Sequence, residues 1–115
     1  MNRKVSVAPM MDCTDRHERF FLRLISKNTL LYSEMVVSEA IHRGEKKKLL
    51  EFNINEKPIA LQIGGSSPAL LAEATKAGED FGYDEINLNL GCPSKKVEKN
   101  KFGACLMKEP NLVAD

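Results

Sequence analysis

The sequence predicts an α/β fold, the N-terminal half of a TIM (β/α)8 barrel carrying about four βα units over residues 1–115. Three observations predict it. Short apolar runs with strand character alternate with amphipathic runs of helical spacing along the whole chain, which implies βαβ units and a parallel sheet. No glycine-rich phosphate loop follows the first strand, which disfavours the main alternative, a flavodoxin-like sheet. The unusual residues sit instead at the C-terminal ends of several strands: Pro9-Met10, Glu34-Met35, Gln62 and Asn89 to Cys92. In a barrel those ends converge on one site.

The elements follow in order. Val5 to Ala8 form a strand stopped by Pro9. Thr14 or Asp15 caps a helix in which Phe20, Phe21, Leu24 and Ile25 recur at helical spacing. Thr29 to Ser33 read as a second strand, and Ser38 as the cap of a helix that fails at Gly44. Lys46-Lys47-Lys48 read as a solvated face. Pro58 to Ile63 form a third strand, ended by Gly64-Gly65. Ser67-Pro68 opens a helix with Leu70, Leu71, Ala74 and Ala77 on one side. Glu85 to Leu90 form a fourth strand, broken by Gly91-Cys92-Pro93, and Pro110 to Asp115 begin another helix. An eight-stranded barrel typically takes about 250 residues, so 115 residues correspond to part of one domain.

Composition narrows the function classes. The chain is 43% hydrophobic and 29% charged, ordinary for a globular protein. Seventeen Lys+Arg against 16 Asp+Glu leave a formal net charge of +1, so bulk charge does not speak for a nucleic-acid partner. No run approaches the roughly 20 apolar residues of a membrane span. Met1-Asn2-Arg3-Lys4 lead straight into the first strand, so no secretory signal is expected. Cys13, Cys92 and Cys105 form neither a disulfide framework nor a zinc pattern, and a reducing cytoplasm is expected. No metal, membrane or obligate protein partner is expected. His17 and His42 lack the partners of a triad or metal site and read as structural.

The densest chemistry lies in Asn87-Leu88-Asn89-Leu90-Gly91-Cys92-Pro93-Ser94. Asn87 and Asn89, two apart on a strand, share a face. Two such amides are costly to bury without partners and suit a flat heterocycle. Gly91 and Pro93 hold Cys92 on a loop above the sheet, where a thiol can serve as proton donor or nucleophile. Lys95, Lys96, Lys99 and Lys101 follow, forming a basic lip for RNA, a mobile loop over a base, or a solvated loop. Glu34 either faces the pocket or holds a loop, and Cys105 reads as packing.

These segments resemble the tRNA-dihydrouridine synthase family. The Asn87–Ser94 stretch with Gly103-Ala104-Cys105-Leu106-Met107 is similar to its active-site signature. Ala8-Pro9-Met10-Met11-Asp12, Tyr32-Ser33-Glu34-Met35 and Leu61-Gln62-Ile63-Gly64-Gly65 match further motifs in order. Thr14-Asp15-Arg16-His17 and Phe102-Gly103-Ala104-Cys105-Leu106-Met107 point to the A-type bacterial subfamily, although Cys13 stands where that pattern has an aromatic residue. The resemblance implies an FMN-binding barrel followed by a helical tRNA-binding domain. It implies reduction of D-loop uridines in tRNA to dihydrouridine, with NADPH as reductant. By motif position Cys92 is the catalytic proton donor, Pro9, Met10 and Met11 lie against the flavin, Gln62 hydrogen-bonds its ring, and Asn89 contacts the RNA. The later strands that complete the flavin site are not in these 115 residues, so the chain alone is expected to be inactive. Another FMN barrel acting on a free pyrimidine, such as a dihydroorotate dehydrogenase, and a non-catalytic truncated product are the rival readings.

Overall fold

The computed structural model describes residues 3–115; Met1 and Asn2 lie outside the described residues. The strands are β1 (Ser6–Val7), β2 (Leu30–Tyr32), β3 (Val36–Val37), β4 (Ile59–Gly64) and β5 (Glu85–Leu88). The helices are α1 (Arg16–Ile25), α2 (Ser38–Arg43), α3 (Lys46–Leu50), α4 (Pro68–Phe81), α5 (Lys95–Lys99) and α6 (Pro110–Ala114). Two 3-10 turns, Ile54–Glu56 and Gly103–Lys108, complete the described elements.

All pairings are parallel, and β4 sits at the centre. Along one edge it pairs first with β2 (Tyr32 opposite Ala60) and then with β3 (Val36 opposite Ile63). β2 and β3 are therefore one interrupted strand, split at Ser33-Glu34-Met35. The other edge of β4 pairs with β5, and β1 adds outside β2. The expected alternation of strands and helices is present, with strands shorter than their apolar runs suggest.

The two sheet faces differ sharply. Side chains alternate along a strand, so Leu61 and Ile63 point one way and Ala60 and Gln62 the other. Leu61 and Ile63 pack with Ile41, Leu50, Ala74 and Ala77 from α2, α3 and α4. Ser67 caps α4 by accepting from the Leu70 N–H, with Pro68 at its first position as expected. Gly82, at φ +89°, ends it in the left-handed region. Ser38 is not a cap: it is the first helical residue of α2, fully buried, and its hydroxyl donates to Glu39 Oε2.

α1 reverses the expected orientation. Asp15 caps it, accepting from the His17 and Glu18 N–H groups. Yet Phe20, Phe21, Leu24 and Ile25 are exposed, at 43, 60, 71 and 69%. The buried residues are Arg19 and Arg23. Arg19 Nε meets Glu56 Oε2 at 2.6 Å, and its Nη1 donates to the Thr14 carbonyl at 2.6 Å. Arg23 donates through Nη2 to the carbonyls of Glu56 and Pro58, both at 2.9 Å, and through Nη1 to Ser26 O at 2.8 Å. Glu56 completes the set by accepting the Asn53 N–H through Oε1. Periodicity found the helix correctly but not the face it buries, because guanidinium groups paired with a carboxylate or several carbonyls can be buried in place of apolar side chains.

Both kinds of buried polar contact can be tested. Glu56→Gln leaves the Arg19 charge buried without its counterion, and urea unfolding is expected to show a loss of about 3–5 kcal/mol. A midpoint no lower than that of Lys76→Gln, which removes an exposed pair, would show that the buried pair does not hold α1. Burial pushes the Tyr83 hydroxyl up to about 12, where it donates to the Leu50 carbonyl at 3.0 Å. The folded state thus keeps a proton that the unfolded chain loses near pH 10. The contribution is fully present below pH 10 and is lost as pH rises towards 12, by roughly 2–3 kcal/mol. Unfolding free energies across that window should fall more steeply for the parent than for Tyr83→Phe; parallel curves would refute the assignment.

Candidate functional site

The face of the sheet opposite the helices is polar. Tyr32, Ala60 and Glu85 stand in one row, and Gln62 and Asn87 in the next. Tyr32 donates to Glu85 Oε1 at 3.0 Å. Burial, with the adjacent Glu85 carboxylate, holds the Tyr32 hydroxyl above its usual range. Arg3 Nη2 lies 2.6 Å from Glu85 Oε2, charge-paired but out of hydrogen-bond alignment.

One row further on, Gln62 bridges two asparagines. Its Nε2 donates to Asn87 Oδ1 at 2.8 Å, and its Oε1 accepts from Asn89 Nδ2 at 3.0 Å. The strand register that sets Gln62 beside Asn87 makes this contact unavoidable. Asn89 extends the network. Its Oδ1 accepts the N–H groups of Gly91 at 3.2 Å and Cys92 at 2.9 Å, an Asx turn that lifts the chain off the strand end.

Cys92 is held from the other side as well. Its carbonyl accepts the Ala104 N–H at 3.0 Å. Gly103 makes that approach possible. It lies at φ +70°, and a Cβ there would sit 2.6 Å from the Cys92 carbonyl oxygen and 2.5 Å from Val97 Cγ1. Cys92 is half-buried and packs beside Val97, Phe102 and Leu106, the small core beneath α5. Gly64 admits that core to the end of β4, since a Cβ there would lie 2.8 Å from both Met35 Sδ and Phe102 Cε2. The glycine-alanine-cysteine stretch is thus the clamp of the Cys92 loop, a relation that sequence spacing did not disclose. Cys105 donates its thiol to the Phe102 carbonyl at 3.1 Å, in keeping with a packing role.

The loop after β1 joins the same end of the sheet. Ser33 Oγ accepts the Gln62 N–H at 3.1 Å and donates to the Glu34 carbonyl at 2.8 Å. Glu34 Oε1 in turn accepts the Asp12 N–H at 2.6 Å. Glu34 therefore holds a loop. Thr14, buried, closes that loop by exchanging hydrogen bonds with the Met10 backbone. Met10 and Met11 are left 56 and 55% exposed. A continuous path of hydrogen bonds thus links the loop of Pro9, Met10 and Met11 through Gln62 and Asn89 to Cys92.

This donor set fits the flat part of a heterocyclic cofactor. Gln62 Nε2 has a second N–H beyond the one given to Asn87, and Asn87 Nδ2 has no partner among the described residues. A cleft of about 780 Å³ lies elsewhere, between α1 and the segment after α3, lined by Asp15, Arg16, His17, Lys48 and Glu51 among others. None of Met10, Gln62, Asn89 and Cys92 lines it. His42 contacts Glu73 at 2.7 Å on the surface, beside the Lys46–Glu73 pair. Among the described residues no group of His, Cys, Asp and Glu could hold a metal ion, and no helix is long and apolar enough to cross a membrane.

Comparison with known proteins adds an independent line. A family model described as dihydrouridine synthase (Dus) matches residues 6–115. The chain is 59% identical over 110 residues to a tRNA-dihydrouridine(20/20a) synthase of Synechocystis sp., covering 96% of this chain and 33% of the relative. It is 56% identical over 115 residues to the Pseudomonas aeruginosa protein of the same name, covering 100% of this chain and 35% of that one. The Escherichia coli relative is 59% identical over 112 residues, covering 97% and 32%. The chain thus spans about a third of the length of these curated relatives.

The clamp on Cys92 can be tested directly. In a background carrying Cys13→Ser and Cys105→Ser, Asn89→Ala removes the acceptor of the Cys92 N–H, and Asn89→Asp keeps it. Oδ1 accepts two loop N–H groups, each bond worth about 1 kcal/mol, so Cys92 of the alanine variant should be alkylated roughly 5- to 30-fold faster. The aspartate variant, which keeps the Oδ1 acceptor and loses the Nδ2 donor to Gln62, should lie closer to the parent rate than the alanine variant does. Equal rates in all three proteins would mean that Asn89 does not position the thiol.

Proposed function

The chain belongs to the dihydrouridine synthase family, and on that premise we propose that it is the first four βα units of a (β/α)8 barrel enzyme that reduces tRNA uridines to 5,6-dihydrouridine in the cytoplasm. The observation that carries this reading is the hydrogen-bonded path from the Met10 loop through Gln62 and Asn89 to a doubly clamped Cys92. The names of the relatives favour tRNA positions 20 and 20a over a free pyrimidine such as orotate.

Reduction of the C5–C6 bond of uracil needs a hydride at C6 and a proton at C5. FMN, reduced by NADPH, supplies the hydride when bound. The residues of this chain contribute binding surface, positioning and the proton. Pro9, Met10 and Met11 offer an apolar surface for one side of the flavin ring, and the free N–H of Gln62 a donor to its edge. Addition at C6 places negative charge on the uracil, and the Cys92 thiol discharges it by giving its proton to C5, leaving a thiolate. A proton donor must meet one carbon from one side, which is what a backbone fixed at both N–H and C=O provides. Asn89, with Oδ1 committed to the Cys92 loop, meets RNA only through its Nδ2 or its aliphatic part. A uridine reaches such a site only by flipping out of the stack, at a cost of a few kcal/mol.

The decisive experiment completes this chain with the remaining two thirds of the Synechocystis relative and measures dihydrouridine in tRNA by mass spectrometry. The completed enzyme should show flavin absorbance and activity. Cys92→Ala should keep the absorbance and lower kcat by about 10²–10⁴. The 115-residue chain alone should not retain FMN. Full turnover by Cys92→Ala would remove the proton-donor role, and a yellow 115-residue chain would refute the half-barrel reading.

A further inference from the structure

Two clusters of lysines in this chain differ in their pairing. Lys46, Lys47, Lys48, Lys57 and Lys76 each lie within ion-pair distance of a carboxylate. Several use helical spacing to do so, as Lys47 with Glu51 and Lys76 with Asp80. The segment after Cys92 inverts that pattern. Lys95 and Lys99 stand four apart on α5, and Lys96 and Lys99 three apart, so like charges share a helix face. Such pairs are unfavourable. Lys95, Lys96, Lys99 and Lys101 are all exposed. Among the described residues none of the four has an acidic partner. Acidic groups are at hand: Glu98 and Glu109 line a cleft of about 350 Å³ with Lys101 and Lys108, yet no ion pair forms across it.

The segment is nonetheless firmly mounted. Val97 and Phe102 are buried at 6 and 4% exposure in the core that also packs Cys92. Ser94 caps α5 through the Val97 N–H, and Asn100 Nδ2 donates to the Lys96 carbonyl at 2.7 Å. Lys101, at φ +59°, takes a backbone conformation uncommon for a residue with a side chain. Three peptide units separate Lys95 from Cys92, so their Cα atoms lie within about 11 Å. A firmly mounted strip of four lysines to one glutamate beside the thiol, with no ion pair among the described residues, calls for a polyanion.

We infer that Lys95, Lys96, Lys99 and Lys101 grip the phosphodiester backbone of the RNA strand flanking the base presented to Cys92. This rests on the proposed function for the identity of the polyanion. The unfavourable like-charge spacing is relieved when phosphates stand between the lysines, and the gain offsets part of the flipping cost. The short stem of α5 fixes where the strand must run, so the grip also sets the register of the base.

The test measures binding of the full chain to fluorescein-labelled tRNA transcript and to oligouridine across a salt series, with no flavin or turnover involved. Replacing the four lysines by Gln should weaken binding about tenfold at low salt and flatten the log–log salt slope by about 0.7 for each phosphate no longer neutralised. Lys46→Gln/Lys47→Gln/Lys48→Gln, which removes paired lysines, should leave affinity and slope nearly unchanged. Circular dichroism checks that both variants stay folded. Equal losses in the two variants, an unchanged slope in the first, or no salt-dependent binding by the parent chain would each overturn the inference. A parent that binds through these lysines while the completed enzyme forms no dihydrouridine would support this surface and refute the reaction.

Discussion

β4 is paired along both edges and buried along its whole length from Ile59 to Gly64. A strand in that position has no solvent to take up an error of register, since a slip of one residue would turn Gln62 into the apolar core and Leu61 or Ile63 out of it. The site inherits its geometry from that constraint. Because Gln62 is fixed opposite Asn87, its amide must find partners on the polar face, and it finds them in the two asparagines two residues apart, at the end of β5 and just beyond it. Ser33, at the break between β2 and β3, accepts the Gln62 backbone N–H and so ties the loop after β2 to the same point. The chemistry of the strand ends is a consequence of how the central strand is held.

A second constraint operates at the opposite margin of the sheet. The edge helix α1 is held by Arg19 and Arg23, which reach Glu56 and the carbonyls of residues 14, 26, 56 and 58. These bonds join the end of the Met10 loop to the lead-in of β4. They are directional where apolar packing is not, so they fix the position of the loop as well as its attachment. Phe21, Leu24 and Ile25 are exposed on the same helix, and β1 is paired on one edge only. An open strand edge and exposed apolar side chains on the adjoining helix are compatible with the proposed half barrel.

Much of this was legible in the sequence because the signals were local. Gly64-Gly65 ended β4 where it was expected, β1 and β5 stopped one and two residues short of the expected breaks at Pro9 and Gly91-Cys92-Pro93, and Ser67-Pro68 opened its helix by a capping rule that needs no tertiary context. The shared face of Asn87 and Asn89 followed from the period of a strand. What was not legible depended on partners far away in the chain. No local pattern marks Arg19 as buried, since its acceptor Glu56 is 37 residues on. The same holds for Ser38, which has the chemistry of a cap but lies under Gly65, where an added Cβ would collide with its hydroxyl. Gly103-Ala104 could be matched as a motif, but its purpose emerged only when Ala104 was seen to donate to the Cys92 carbonyl.

The amide network carries a tension that bears on how the site works. Gln62 uses Oε1 and one N–H internally, and Asn89 uses both ends of its side chain. Groups so engaged are poor at adapting to a ligand but good at holding a fixed outline, because moving either would strand a buried polar atom. The remaining capacity, one N–H each on Gln62 and Asn89 and the amide nitrogen of Asn87, belongs to that frame. A cofactor edge meeting those donors would find them already oriented, with little entropy left to lose. The same frame reaches Cys92 through the bond that Asn89 Oδ1 accepts from its N–H. In the proposed reaction, which adds hydride and proton at adjacent carbons, ring edge and thiol would both be referred to that one set of hydrogen bonds.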